Sequence, residues 1–216
     1  LKEVAALIGV KQRADCHPEG DAWTHTMLVV DEAAKLRDEA KNPTGLMLAA
    51  LLHDVGKAVA MQEKDGVIHA YGHETAGVPL AEEFLRRLTG EKALCRYVLN
   101  MVELHMKPNL YAAQNSGQKA WNRLFDRSAC PEDLLLLAKA DHRGRINAAP
   151  YAETERTIRA RLSAFEEMMA RPHITGADLL ARRIQPGEEM GRLLEEAHRL
   201  RLAGVKKEDA LRQMRL

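Results

Sequence analysis

The sequence predicts an all-α fold. Aromatic residues make up only 4% of the chain, runs of β-branched residues are nearly absent, and Leu, Ala, Glu and Arg recur at helical spacing. A chain of 216 residues, 46% hydrophobic and 29% charged, can fill one helical domain with a real core and extend it by a small second unit. About seven or eight helices are expected.

Asp21 can cap a helix running to about Ala40. Asn42-Pro43-Thr44 closes that helix and opens the next, which carries the apolar run Leu46 to Leu52 and breaks at Gly56. Residues 62–72, with Asp65-Gly66 and Tyr71-Gly72, read as a loop, with a short hairpin flanking Asp65-Gly66 as the alternative. Helices follow near 74–89, 91–105, 118–126 and 131–141. Pro79 falls inside the first of these, which either begins later or kinks there. After Pro150 a charged, periodic helix reaches about Ala170, and Pro172 ends it. The expected organisation is a main domain over 1–170 and a small C-terminal helical unit over 171–216. No internal repeat or low-complexity tract is present.

Lys+Arg total 32 against 31 Asp+Glu, which excludes a bulk electrostatic pull toward nucleic acid or anionic membrane; any polyanion binding must be local. The charge-rich stretches Glu153 to Arg161 and Glu188 to Arg201 read as solvated helix faces. Cys16, Cys95 and Cys130 form no CxxC pair and cannot all be joined within one chain, so a reducing, cytoplasmic setting is expected. No segment approaches the roughly 20 apolar residues of a bilayer span, and no signal-peptide core opens the chain. Leu rather than Met at position 1 is expected of a form trimmed from something longer.

The chemistry lies in polar residues that end apolar stripes. Leu46, Ala49, Ala50 and His53 follow i, i+3, i+4, i+7 spacing. Leu94, Tyr97, Val98, Met101, Val102 and His105 form a second stripe, and Leu134, Leu137, Ala138 and Asp141 a third. Each buried face therefore ends in an imidazole or a carboxylate. His25 shares a face with Leu28, Val29, Glu32 and Leu36 and can point inward too. An ionised Asp141 facing a core is costly unless it is paired or coordinates a cation. Any one of these groups alone is more simply a satisfied core histidine or capping aspartate, but several at the inner ends of different helices point to one metal centre. Imidazole and carboxylate together suit Mn, Fe, Co, Ni or Zn better than Ca.

The order His25, then His53-Asp54 within Leu51-Leu52-His53-Asp54-Val55-Gly56-Lys57, then Asp141 resembles the signature of the HD superfamily of phosphohydrolases. The resemblance implies that His25, His53, Asp54 and Asp141 hold one divalent metal. It also implies that His73 and His105 hold a second, bridged by Asp54; the cofactor is then one or two ions of Mn, Fe, Ni, Co, Zn or Mg. His69 competes with His73, which is preferred because it precedes the helix carrying Ala76, Leu80, Ala81 and Phe84. Cys16 to Thr26, Tyr71 to Gly77, Ala140 to Arg145 and the tail Ile174 to Leu179 with Pro186-Gly187 are similar to the HD domain of bacterial CCA-adding tRNA nucleotidyltransferases. No Gly-Gly-…-Arg-Asp stretch or Asp-x-Asp pair of a nucleotidyltransferase head is present, so CCA addition is not expected. Arg183 stands where that family usually has Gly, and Glu188 follows the Pro-Gly, both departures in the tail.

The expected function is hydrolysis of phosphoesters by a metal-activated water, with 2′,3′-cyclic phosphodiesters first and nucleotide phosphates next. Asp54 would position the nucleophile. Lys57, one turn on, either neutralises developing phosphate charge or is a solvated helix-end lysine. Arg143 and Arg145 can grip a substrate phosphate or be plain surface arginines. By the resemblance His17 and Glu19 lie near the pocket mouth, each open to a role as orienting group or proton donor. Cys16 is the only cysteine beside a histidine and lacks a visible activating environment. The competing reading is a binding module for tRNA or RNA 3′ ends in which metal only stabilises the fold, with no membrane partner in either case.

Overall fold

In the structure, a computed structural model, residues 1–13, 15, 17–64 and 66–215 are described. Asp21 opens α2 (Ala22–Leu36) by accepting the Thr24 N–H, and a 3-10 turn (Arg37–Glu39) follows instead of a longer helix. Asn42 caps α3 (Pro43–Leu52) through the Gly45 N–H, with Pro43 at the first helical position, where its missing donor costs nothing. Leu46, Ala49, Ala50 and Leu52 of α3 are buried; each leucine so buried is worth roughly 1.5–3 kcal/mol. This helix packs on α2, on α6 (Lys92–Leu104) and on α9 (Pro131–Arg143), while α2 also packs on α9. The polar end of α3 is thereby surrounded by α6 and α9, whose stripes also end in polar groups, and by α2, which carries His25.

The described residues form more helices than the seven or eight expected, and four of the additional ones are short. They are α1 (Lys2–Ala5), α4 (Lys57–Ala60), α7 (Met106–Ala113) and α11 (Gly176–Leu180). Sequence pattern missed α7 because His105 alone separates it from α6, and because Pro108 reads as a breaker; in a first turn its absent N–H removes no helical bond. Between α4 and α5 the hairpin alternative is realised: β1 (Gln62–Lys64) pairs antiparallel with β2 (Val67–His69), Gln62 opposite His69. Asp65 of the Asp65-Gly66 pair lies outside the described residues. Gly72, at φ 74° in the left-handed region open to glycine, turns the chain into α5 (His73–Leu88), which starts one residue earlier than expected and runs through Pro79.

The chain packs as two units. Residues 1–115 and 127–158 form the first; residues 116–126 and 159–216 form the second. The division thus falls inside α10 (Ala152–Ala170) rather than after it, and most of α8 (Gln118–Arg127) joins the C-terminal unit. The physical reason is aromatic packing: Trp121 and Phe125 of α8 lie 5.5 Å apart, and Phe125 lies 5.7 Å from Phe165 of α10. The same unit holds α12 (Glu188–Leu202) and α13 (Lys207–Gln213), whose Ala197 and Ala210 pack with Ile174 and Leu179. Thr175 and Asp178 form a reciprocal capping box at α11, which gives the tail motif a structural role. Arg183, the residue that departs from the family's Gly, adopts φ 66°, a left-handed conformation that glycine takes without steric cost. No helix among the described residues is long and apolar enough to cross a membrane. Cys95 and Cys130 are free thiols; Cys16 lies outside the described residues.

Candidate metal centre

Within the first unit, α2 supplies His25, the end of α3 supplies His53 and the next residue Asp54, and α5 begins with His73. The α6–α7 junction supplies His105, and α9 supplies Asp141. All six are at most 5% exposed. Three imidazoles are anchored alike: Nδ1 of His53 donates to the Ala50 carbonyl at 2.8 Å, His73 to Ala70 at 2.8 Å and His105 to Val102 at 2.7 Å. A carbonyl oxygen only accepts, so each Nδ1 carries a hydrogen and, in the neutral ring that a metal requires, each Nε2 presents its lone pair inward.

Those lone pairs meet Asp54. Its Oδ2 lies 3.2 Å from His53 Nε2 and 3.8 Å from His25 Nε2, whereas its Oδ1 lies 3.2 Å from His73 Nε2 and 3.7 Å from His105 Nε2. The two oxygens are divided between two pairs of imidazoles. Asp141 Oδ1 sits 3.1 Å from His25 Nε2. Ligand atoms of His25, His53 and Asp54 fall within 4.8 Å of one another, and so do those of Asp54, His73 and His105. Buried His53 Nε2 has no hydrogen-bond partner, and the Nε2 atoms of His73 and His105 face each other at 3.4 Å. Facing lone pairs in a buried space repel unless a proton or a cation lies between them, so this donor set fits a divalent metal.

Protonation follows the same geometry. Burial opposes a charge on His25, but Asp141, Glu19 and Asp54 outweigh it and push the imidazole up to about 9. His73 is likewise raised, its burial overcome by Asp54. Burial and the nearby His53 push His105 down to about 3, leaving it a neutral donor. Burial would raise Asp54 and Asp141, yet His53 and Lys57 hold the first, and His25 and Arg145 the second, well below the usual carboxylate range.

Lys57 is not a solvated helix-end lysine: it is 6% exposed, with Nζ 2.7 Å from Asp54 Oδ2 and donating to Gln12 Oε1 at 2.6 Å. Glu19 lies behind His25 rather than in the cavity, its fully buried carboxylate 2.8 Å from Nδ1 of both His17 and His25. Burial, then Lys57 and His25, push His17 down to about 4. His17 and Arg145 line the cavity above the centre together with Asp54, Lys57, His73 and Asp141, and Arg145 Nη2 reaches Asp141 Oδ2 at 3.5 Å. Arg143 is exposed and outside that lining, because two residues along α9 turn it away from Asp141. His69 stacks on Tyr71 instead of approaching Asp54. Gln12, Met61, Ile68, Tyr71 and Met106 also line the cavity. Sequence reasoning missed them as site residues; loop, hairpin and short-helix positions carry no periodic signal.

A family model described as HD domain matches residues 22–162. The chain is 37% identical over 213 residues to a Multifunctional CCA protein of Burkholderia cenocepacia (strain HI2424), covering 95% of this chain and 47% of that protein. It is 36% identical over 152 residues to the Multifunctional CCA protein of Actinobacillus pleuropneumoniae serotype 5b (strain L20), covering 67% and 36% respectively. The chain thus spans about half or less of the length of these relatives. No solved structure matches.

Proposed function

We propose, from the premise that this chain belongs to the HD-domain family, that it is a metal-dependent phosphohydrolase cleaving small phosphoesters, 2′,3′-cyclic phosphodiesters first and nucleotide phosphates next. The observation that carries the reading is the division of the Asp54 oxygens between two histidine pairs. His25, His53, Asp54 and Asp141 would hold one divalent ion, and His73, His105 and Asp54 a second. Bound there, such ions supply Lewis acidity toward water and toward a phosphoryl oxygen.

The chain's own residues do the rest. The Glu19 carboxylate, 2.8 Å from Nδ1 of His25, pairs with that ring, and the Ala50, Ala70 and Val102 carbonyls fix the other three by accepting from their Nδ1 atoms. Lys57 orients Asp54 and, with Arg145, gives the cavity the positive charge that a phosphate needs. Arg143 has no part in this proposal. In hydrolysis of a cyclic diester, water adds at phosphorus, one P–O ester bond breaks, and a proton passes to the departing ribose oxygen.

Protein loaded separately with Mn, Ni, Co, Zn and Mg is assayed on 2′,3′-cyclic AMP, 2′-AMP and a chromogenic phosphodiester. Hydrolysis above the metal-free level is expected with at least one ion, and Asp54→Asn should lower kcat by about 10²-fold or more. A competing reading, a tRNA-binding segment with a structural metal, is favoured by the similarity to multifunctional CCA proteins. If no substrate is cleaved while tRNA is retained in a salt-dependent way, regardless of Asp54→Asn, that reading replaces this one.

A further inference from the structure

The cavity over the centre has a second half that phosphate chemistry does not use. It measures about 250 Å³ and its wall is more apolar than polar. Met61, Ile68, His69 and Tyr71, from the hairpin and its flanks, contribute thioether, alkyl and ring surface. None of the four is a lysine or arginine that would hold a phosphate. Tyr71 is 83% exposed, yet its ring has a partner: it stacks on His69 at 4.8 Å with the planes 15° apart. A ring held flat on one side and wet on the other is a surface that gains by being covered by a further flat ring, whatever that ring's hydrogen-bonding edge.

We propose that Tyr71, seated on His69 and continued by Ile68 and Met61, receives the base of a mononucleotide-sized ligand. The reacting phosphate then lies toward Lys57 and Arg145 in the same cavity. The phosphate half rests on the phosphohydrolase reading; the ring contact does not. At about 250 Å³ the cavity lies below the roughly 300–1,000 Å³ of drug-sized sites, which argues against a ligand larger than one nucleotide. The hairpin is on this account the element that distinguishes nucleoside phosphoesters from phosphoesters lacking a base.

The ring contact is tested without turnover by titrating adenosine, with ribose as control, into the whole protein calorimetrically. Adenosine should bind saturably and ribose not. Tyr71→Ala should weaken adenosine about 5- to 100-fold, with Tyr71→Phe restoring most of it. Circular dichroism melts check that both variants stay folded. In parallel, kcat/KM is compared for 2′,3′-cyclic AMP and glycerol 1,2-cyclic phosphate. The nucleotide should be preferred, and Tyr71→Ala should draw the ratio toward one through KM. Absence of adenosine binding, or equal binding by wild type and Tyr71→Ala, overturns the proposal. Adenosine binding through Tyr71 with no hydrolysis of either ester leaves the base site standing and removes the phosphohydrolase.

Discussion

Gly56 tests whether the centre depends on backbone contact between α4 and α5. A Cβ placed there would meet the His73 carbonyl closest of all, then Gly77 N at 2.5 Å and Gly77 Cα at 2.9 Å, all backbone atoms that no rotamer change can move. Ordinary contact begins near 3.4 Å, so Gly56→Ala must drive the first turns of α5 back by at least roughly 0.9 Å, the difference from the 2.5 Å of Gly77 N, and further at the closer His73 carbonyl. The backbone of Gly56 has φ −67°, so the effect is one of packing and not of conformation. Overpacking of this kind costs about 1–3 kcal/mol, and with only backbone to yield the upper end is expected. At about 2–4 °C per kcal/mol for a chain of this size, the melting temperature should fall by about 6–12 °C. His73 opens the displaced turn, so its Nε2 should retreat from 3.2 Å to about 4 Å from Asp54 Oδ1, and metal affinity should fall with it. Thermal melts and metal titrations on Gly56→Ala and Gly77→Ala form the assay. A Cβ at Gly77 has 3.2 Å to Gly56 N and needs only a few tenths of an ångström, so the milder effect belongs there. Wild-type melting and wild-type metal affinity for Gly56→Ala would refute the reasoning.

Two further outcomes follow from the charges around His25. Glu19→Gln keeps the size of the side chain but replaces the carboxylate 2.8 Å from His25 Nδ1 by a neutral amide; metal affinity should drop about 10- to 100-fold, read by competition with a chelator. Metal uptake should release protons at pH 7. His25 is pushed up to about 9 without metal and is therefore charged at that pH, whereas a ligand must be neutral. Apparent affinity should thus rise with pH until about 9; calorimetry at pH 7 in buffers of different ionisation enthalpy should show the release, and a pH-independent affinity between 6 and 9 would contradict it. The sign for folding runs the other way: a raised imidazole stabilises metal-free protein below its unfolded value near 6.5, a contribution lost as pH rises through about 9.

Helical periodicity was enough to place α2, α3, α6, α9 and α10 and to turn His25, His53, His105 and Asp141 inward, because both follow from which residues recur every three or four positions. Periodicity says nothing of what crosses between elements. That Asp54 offers one oxygen to His25 and His53 and the other to His73 and His105, that Lys57 is drawn out of solvent onto Asp54, and that Glu19 sits behind His25 all arise from distances between atoms far apart in the chain. The hairpin was legible as an alternative from Asp65-Gly66, but not that its residues wall the cavity; α7 and the division inside α10 were illegible, because a one-residue helix junction and aromatic contacts between α8 and α10 leave no repeating mark in the order of the letters. Local order sets which way a side chain faces, but only folding sets what it faces.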